Sequence, residues 1–192
     1  MVVSQQDQRI TPDVLEACRR GDRDAFRLVY ETYKDTVYSM ALYFFKGDAA
    51  TAADVTQQVF LRLMDRIGQF KGRSGFSTWL HRLVANACVD RTRVAWWRAP
   101  MADPAVLDTH GVAAGHDAEL EQRDQARLVQ AALAGLTPKI RMAIVLRYFE
   151  DLSYDEMASV LNCSIGTVAS RLSKGHAILG RRLAALGHRG ER

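Results

Sequence analysis

Apolar side chains recur at intervals of three and four residues through most of this 192-residue chain. The longest such stripe is formed by Phe26, Val29, Tyr30, Tyr33, Val37, Met40, Ala41 and Phe44. This spacing gathers side chains on one face of an α-helix, whereas the alternation typical of a half-buried strand is scarce. The pattern therefore predicts an all-α fold.

Local start and stop signals divide the first half of the chain into helices. Thr11-Pro12-Asp13 combines a capping hydroxyl, a proline at the first helical position and an acid near the positive end of the helix dipole. Gly21-Asp22 and Gly47-Asp48 interrupt the pattern, and helices are predicted at about 50–67 and 77–97 with a loop at 69–75 between them. The inward residues predicted for the first of these two helices are Ala53, Val59, Phe60, Leu63, Met64 and Ile67.

The composition changes sharply after this half. Residues 99–118 contain two prolines, two glycines and three aspartates but no lysine or arginine. A polar stretch of this length is typical of a linker rather than of a tight turn. We therefore predict two small helical domains on a flexible tether: an N-terminal segment 1–20, a first domain 21–98, a linker 99–118, a second domain 119–186 and a tail 187–192.

The overall composition excludes several classes of protein. Hydrophobic residues make up 48% and charged residues 25%, which argues against a disordered or collagen-like chain. The longest predominantly apolar run, Tyr38 to Phe45, is far shorter than the roughly 20 residues that cross a bilayer, and the start of the chain lacks a signal-peptide pattern. A cytoplasmic location is expected. Cys18, Cys88 and Cys163 form no metal-binding or disulfide spacing, so neither a metal nor another cofactor is expected.

The second half contains the signals of a helix-turn-helix. Ser153 and Glu156 have capping-box spacing, and Met157, Ala158, Val160 and Leu161 are the apolar face that follows. Asn162-Cys163-Ser164 is the predicted turn, because asparagine tolerates the left-handed backbone conformation that a sharp turn requires. Ser164 would then cap a second helix with Ile165, Val168 and Leu172 facing inward. Upstream, Thr137 and Pro138 predict the start of a supporting helix whose inward residues are Ile140, Ala143, Ile144 and Phe149.

The opposite face of that second helix is polar and basic. It carries Thr167, Ser170, Arg171 and Lys174 at spacings i, i+3, i+4 and i+7. In a helix-turn-helix this face enters the major groove, where arginine can fork onto guanine. Lysine is better suited to the phosphates, which orient the protein without specifying sequence. The alternative is an ordinary solvated face of a helical hairpin.

A second basic region lies in the first half. Between Arg62 and Arg98 there are eight basic residues and two acids, interleaved with aromatic residues that include Phe76 and Trp79. Basic side chains with aromatic platforms suit single-stranded nucleic acid, since each base can stack on a ring. Phe76, on the loop side, is the preferred stacking candidate. Trp79, at helical spacing from Leu83, is alternatively part of the core.

Four motifs in order across both halves resemble the bacterial sigma factors of the extracytoplasmic-function group. They are Gly21-Asp22-x-x-Ala25-Phe26-x-x-Val29-Tyr30-x-x-Tyr33; Ala53-Asp54-Val55-Thr56-Gln57-Gln58-Val59-Phe60-Leu61; Phe70-x-x-x-Ser74-x-Phe76-x-Thr78-Trp79-Leu80 with Asn86; and Gly166-Thr167-Val168-x-Ser170-Arg171. The resemblance covers about residues 20–97 and 119–185. It implies sigma region 2 and region 4 domains that recruit core RNA polymerase to a promoter, with no enzymatic activity.

The resemblance also implies three sets of contacts. Core polymerase, through the clamp helices of its largest subunit, would meet Asp54, Gln57, Gln58, Phe60 and Leu61. Family members usually have an acid where this chain has Gln58. The unpaired −10 strand would be held by Lys71, Arg73, Ser74, Phe76, Trp79, Arg82 and Asn86, and the −35 duplex would be read by Thr167, Ser170, Arg171 and Lys174. A further implied partner is an anti-sigma factor, often membrane-anchored.

Two other functions are weighed against this one. A one-component regulator would need a ligand pocket in the first domain and would bind duplex DNA alone, usually as a symmetric dimer. An enzyme finds little support, because Gly72-x-x-Gly75 lacks the lysine and hydroxyl residue of a phosphate loop. His110 and His116 are the only histidine pair near metal spacing, and they lie in the predicted linker.

Overall fold

The computed structural model describes the backbone of residues 9–98 and 129–187, and the side chains of 9–92 and 129–184. Within these ranges the protein is built of helices and connecting turns, with no β-strand. The all-α prediction is confirmed. The predicted linker 99–118, the tail 188–192 and residues 1–8 of the N-terminal segment lie outside the described residues.

The N-terminal group consists of four α-helices and one short 3-10 turn. They are α1 (Pro12–Arg19), α2 (Arg23–Phe44), α3 (Ala49–Arg66), the 3-10 turn Ile67–Gln69 and α4 (Phe76–Arg98). Each of the first three begins at a predicted signal. The side chains of Thr11, Asp22 and Asp48 accept hydrogen bonds from the backbone amides that open α1, α2 and α3, which satisfies donors that a helix leaves unpaired.

The core of this group is close to the predicted one, but the buried face of α3 is rotated about the helix axis relative to the predicted face. Val29, Tyr33, Val37, Met40 and Phe44 of α2 are fully buried, as the apolar stripe predicts. On α3 the buried face is Ala52, Val55, Thr56, Val59 and Leu63. Of the residues predicted to point inward, Ala53 is exposed, Met64 is 51% exposed and Tyr30 of α2 is 44% exposed. Thr56 tolerates burial because its hydroxyl bonds the carbonyl of Ala52 one turn earlier.

The C-terminal group begins, within the described residues, with the helical stretch 129–134 (α5). It continues with α6 (Pro138–Tyr148), α7 (Tyr154–Leu161) and α8 (Ile165–Gly187). Thr137 occupies the cap position of α6, although its side chain makes no capping hydrogen bond. A side chain on Gly175 would lie 2.9 Å from Cδ1 of Ile144, so the glycine lets α8 cross α6 closely.

The two groups pack directly against one another. The first helix of the helix-turn-helix, α7, lies on α4, and α6 lies against the C-terminal end of α2. Phe149, predicted to point into its own domain, is instead 39% exposed and stacks on Tyr43 of α2 with ring centroids 3.7 Å apart. The sequence does not predict this packing.

Two features are absent from the described residues. No helix in these ranges is long and apolar enough to cross a membrane. No group of three or more histidine, cysteine or acidic side chains in the same ranges could hold a metal ion. The pair His110 and His116 lies outside the described residues.

Candidate DNA and polymerase interfaces

The turn between α7 and α8 has the geometry predicted for a helix-turn-helix. Glu156 and Ser153 form a reciprocal capping box, with the amide of Ser153 donating to Oε2 of Glu156 at 2.8 Å. Asn162 adopts the left-handed conformation (φ 47°, ψ 55°) that ends α7. Oγ of Ser164 then accepts from the amide of Thr167 at 3.2 Å and caps α8. Three local interactions therefore fix the angle at which α8 leaves the turn.

The structure brings the four predicted −35 residues to one side of α8. Ser170 and Lys174 are exposed, Thr167 and Arg171 are half-buried, and the opposite side buries Val168 and Leu172. The hydroxyl of Thr167 lies 2.9 Å from that of Ser164. Ile165, predicted to point inward, is instead 47% exposed.

Two further features favour a DNA-binding role for this face over the alternative of an ordinary solvated helix surface. The segment Asn162 to Gly187 contains no aspartate or glutamate, so the basic residues meet no acid on their own helix. The guanidinium of Arg171 donates to Sγ of Cys163 in the turn at 3.6 Å, which leaves its remaining donors available. Arginine presents five N–H donors in a planar fork, and a half-buried stem limits the directions in which the fork can point.

The predicted −10 residues lie along one edge of the N-terminal group, with one exception. Lys71 and Arg73 are exposed in the loop before α4, and Ser74 is half-buried there. Arg82 and Asn86 are exposed one turn apart on α4. The guanidinium of Arg82 donates to the backbone carbonyl of Ser159 in α7, so this side chain contacts the C-terminal group.

The exception is Phe76, for which the expectation of an exposed stacking ring is wrong. Phe76 is the first residue of α4 and is only 5% exposed. Its ring packs between Tyr33 and Phe70, with centroids 5.6 Å away in both cases, and 5.8 Å from Trp79. The helix α4 begins at Phe76, one residue earlier than the predicted start at residue 77, and the ring of this first helical residue lies in the core. Trp79 is half-buried in the same cluster, in agreement with its alternative assignment to the core.

A groove of about 520 Å³ opens between α2 and α3. Three of the predicted polymerase-binding residues lie in it, namely Gln57, Phe60 and Leu61. Asp54 and Gln58 are exposed on the same helix but outside the groove, and a carboxylate oxygen of Asp54 lies 3.4 Å from the guanidinium of Arg91. Sequence reasoning missed the remaining apolar wall, which consists of Tyr30, Tyr38 and Met64.

This wall is an unpartnered apolar surface with a defined shape. Leu61 is 56% exposed and Met64 is 51% exposed, while the rings of Tyr30 and Phe60 meet edge to face at 4.8 Å. Contiguous exposed apolar side chains of this kind mark interaction sites in soluble proteins. The signal available in the sequence was the width of the α2 stripe, which includes both Val29 and its neighbour Tyr30.

Comparisons with known proteins agree with this arrangement. Residues 29–98 match the family described as Sigma-70 region 2, and residues 126–178 match the family described as Sigma-70, region 4. The RNA polymerase sigma-H factor of Pseudomonas aeruginosa is 31% identical over 194 residues, covering 97% of this chain and 98% of that protein. The ECF RNA polymerase sigma factor SigW of Bacillus subtilis is 32% identical and covers 90% of this chain and 96% of its own length.

Solved structures share the fold. The structure of CnrH in complex with the cytosolic domain of CnrY aligns with a TM-score of 0.67 and 22% identity, covering 90% of this chain and 96% of that one. The sigma factor RpoE of Bartonella quintana, in complex with the anti-sigma factor NepR, also aligns with a TM-score of 0.67, at 21% identity over 83% of this chain and 96% of that one. These similarities concern the arrangement of helices.

An all-helical protein with a C-terminal helix-turn-helix and a second basic surface on its N-terminal helices belongs to the class of DNA-binding transcription proteins. The family matches and the long, full-length alignments go further: the chain belongs to the extracytoplasmic-function group of the sigma-70 family. It is a transcription initiation factor that acts with core RNA polymerase at specific promoters. The suspected family resemblance is confirmed.

Proposed function

We propose that this sigma factor reads the −35 duplex with the exposed face of α8. The observation that carries the proposal is the acid-free stripe of Thr167, Ser170, Arg171 and Lys174 beside a fully capped turn. Arg171 would contact a base edge and Lys174 a phosphate, because Arg171 is half-buried with a restricted fork while Lys174 is exposed on a flexible stem. Thr167 and Ser170 would meet neighbouring base edges.

The −10 contact belongs on the loop before α4 and on the exposed side of that helix. Lys71 and Arg73 supply positive charge for a single strand, and Ser74, Arg82 and Asn86 supply hydrogen-bonding groups. Trp79 is half-buried and packs against Phe70 and Phe76, so only part of it is accessible to a base. A base removed from the stack costs a few kcal/mol, so a site that holds it by hydrogen bonds makes melting depend on the right base.

Core polymerase docks in the groove between α2 and α3. Gln57, Phe60 and Leu61 supply one wall of the groove, and Asp54 and Gln58 extend the polar rim along α3. A helical partner fits such a groove, because an amphipathic helix can bury its apolar face there. The clamp helices of the largest polymerase subunit are the occupant implied by the family.

An anti-sigma factor is the second partner in this proposal. CnrH and the Bartonella quintana protein were each solved in complex with another protein, and the partner of the latter is named an anti-sigma factor. The exposed apolar residues Leu61 and Met64 offer such a protein a surface that competes with polymerase. The location would be cytoplasmic, where polymerase and promoters are, and the role would not be catalytic. The domain limits 21–98 and 119–186 are part of the same proposal.

The decisive experiment is in vitro transcription with sigma-free core polymerase and fragmented genomic DNA, with and without this protein. Discrete new transcripts are expected, and aligning their upstream sequences yields both promoter elements. Leu61→Asp should abolish them by placing a charge in the groove. Leu28→Asp, which alters an exposed leucine of α2 outside the groove, should leave them unchanged. An absence of new transcripts together with tight, symmetric duplex binding by the protein alone would favour a one-component regulator.

The anti-sigma proposal needs its own test. Tagged protein recovered from uninduced cells should carry a stoichiometric partner other than polymerase. The Leu61→Asp variant should lose that partner together with polymerase. Recovery of polymerase alone in repeated uninduced samples contradicts the proposal.

A further inference from the structure

A residue of α1 holds the backbone at the start of the loop before α4. We call residues 71–75 of this loop the −10 loop. Nη2 of Arg19, the last residue of α1, donates to the backbone carbonyl of Phe70. Nη1 of the same guanidinium donates to Oε2 of Glu16 at 2.8 Å. Because the guanidinium is planar and both of its terminal nitrogens are engaged, its orientation is fixed from two sides.

Helix α1 is a firm support for this contact. Leu15 and Cys18 of α1 are buried in the hydrophobic core, and the helix packs on α2 and on the 3-10 turn that ends just before Phe70. The side chain of Arg19 is 34% exposed, so its hydrogen bonds are partly shielded from water. A charged donor makes a stronger hydrogen bond than a neutral one. Arg19 therefore ties the start of the −10 loop to a packed helix.

Aromatic rings hold the two ends of the −10 loop, but they do not set its path. The rings of Phe70 and Phe76 meet edge to face with centroids 5.6 Å apart, and both residues are buried. Between them, residues 71–74 make no backbone-to-backbone hydrogen bond within the part of the chain that the structure describes. Gly72 has a left-handed φ of 68°, and a side chain there would meet nothing within 4 Å. The direction of the loop must therefore be set from outside it.

The hydrogen bond from Arg19 fixes the first peptide plane of the −10 loop. A peptide bond is planar, so the carbonyl of Phe70 and the amide of Lys71 turn together. Packing of the Phe70 ring does not by itself fix this plane, because rotation about the Cα–C bond moves the peptide group and not the ring. A bound carbonyl removes that rotation. Arg73 and Ser74, which follow in the loop, would otherwise move with it.

We propose that Arg19 is a positioning residue for −10 recognition: it holds the −10 loop in the arrangement that presents Arg73 and Ser74 to the unpaired strand. This role rests on the proposed −10 contacts. It assigns a part in promoter opening to the N-terminal segment 1–20, which precedes the residues 29–98 matched to Sigma-70 region 2. A surface whose competent arrangement is populated one time in ten binds with a tenfold weaker apparent affinity.

The test measures sequence preference in the reconstituted holoenzyme. The probes are labelled single-stranded oligonucleotides copied from the non-template −10 strand of a promoter found by the transcription experiment. One probe is matched, and each of the others has one −10 base changed. The preference is the dissociation constant of a changed probe divided by that of the matched probe. A loss of protein stability cannot move this ratio, because unfolded chains form no holoenzyme and so affect both probes equally.

Two variants of Arg19 should lose the preference. Arg19→Ala should bind the matched strand about tenfold more weakly, while binding of the changed strands, which rests on charge, stays nearly the same. Arg19→Lys should behave similarly although it keeps the charge, because one nitrogen cannot serve both Glu16 and Phe70. Arg20→Ala is the matched control. Arg20 is the next residue and is exposed, and its side chain makes no hydrogen bond or ion pair among the described residues.

The possible results separate the positioning role from its alternatives. An unchanged preference in Arg19→Ala overturns it. An equal loss for all probes that Arg19→Lys restores, with a salt slope lowered by about 1 in Arg19→Ala, overturns it in favour of a direct phosphate contact. The double variant Ser74→Ala with Asn86→Ala tests the proposed −10 surface itself. If that variant keeps the preference, both proposals fail. If it loses the preference while Arg19→Ala keeps it, only the positioning role fails.

Discussion

Arg141 provides the sharpest test of the packing described here. Its side chain is buried, with 6% of the residue exposed, and it meets no carboxylate among the described residues. It donates instead to four backbone carbonyl oxygens, those of Leu136 at 2.7 Å, Leu133 at 2.9 Å, Phe44 at 3.0 Å and Ala134 at 3.3 Å. Phe44 is the last residue of α2, and Leu133, Ala134 and Leu136 lie at or just after the end of α5. One guanidinium therefore caps the C-terminal ends of two helices.

Two opposing effects set the cost of Arg141→Met. Three of the four carbonyls belong to buried residues, and leaving them unpaired costs roughly 1–2 kcal/mol each, or about 3–6 kcal/mol together. Burial lowers the pKa of Arg141 to about 10, which corresponds to about 3 kcal/mol of desolvation that the neutral side chain avoids. The lost hydrogen bonds outweigh the relieved desolvation. We expect a net loss of about 2 kcal/mol in the free energy of unfolding.

Arg141→Lys should be worse than Arg141→Met, although it keeps the charge. Lysine retains the desolvation cost, yet its single nitrogen cannot reach four carbonyls that a planar fork bridges. The expected order of stability is therefore wild type, then Met, then Lys. This order is the opposite of what similarity between the side chains would suggest.

Urea denaturation followed by helical circular dichroism measures all three proteins. With a slope of about 2 kcal/mol per M, the Met variant should lose about 1 M in its midpoint. Arg181→Met is the matched control, because Arg181 is exposed and, among the described residues, bonds only the carbonyl of Ala177 in its own helix. It should change stability by less than about 0.5 kcal/mol. A Lys variant as stable as wild type, or more stable than Met, would refute the reasoning.

Three further predictions concern the exposed face of α8, the buried ring of Phe76 and the turn at Asn162. In competition assays across a position-scanned promoter set, Arg171→Ala should weaken holoenzyme binding by about 1–3 kcal/mol at one −35 position. Lys174→Ala should weaken binding to all promoter sequences alike and lower the slope of the salt dependence by about 1. A uniform loss of binding for Arg171→Ala would mean that Arg171 contacts a phosphate. Phe76→Ala should cost about 3–5 kcal/mol of stability in urea titrations, and a folded variant of wild-type stability would contradict its burial. Asn162→Val should cost about 1–2 kcal/mol and Asn162→Gly almost nothing in the same titrations, so equal losses would mean that the backbone conformation is not the cause.

The parts of the fold that follow from nearest neighbours in sequence could be predicted. The capping box, the left-handed Asn162 and the cap by Ser164 each depend on groups within three residues of one another. The helix starts at Thr11 and Asp22 are equally local. Such caps can be predicted from local sequence, because the hydrogen-bond donors and acceptors that form them lie within one helical turn of each other.

The errors have one physical source. Helical periodicity predicts which face of a helix is apolar, but it leaves the residues at the two margins of that face undecided. The helix that packs against this face determines which margin is buried. Tyr30 and Met64 lie at such edges and line the groove instead of the core. Phe76 was assigned to a loop, but one additional helical residue turns it inward. Contacts between the two groups, such as that of His81 with Glu150, join residues far apart in sequence, and no local pattern predicts a contact of that kind.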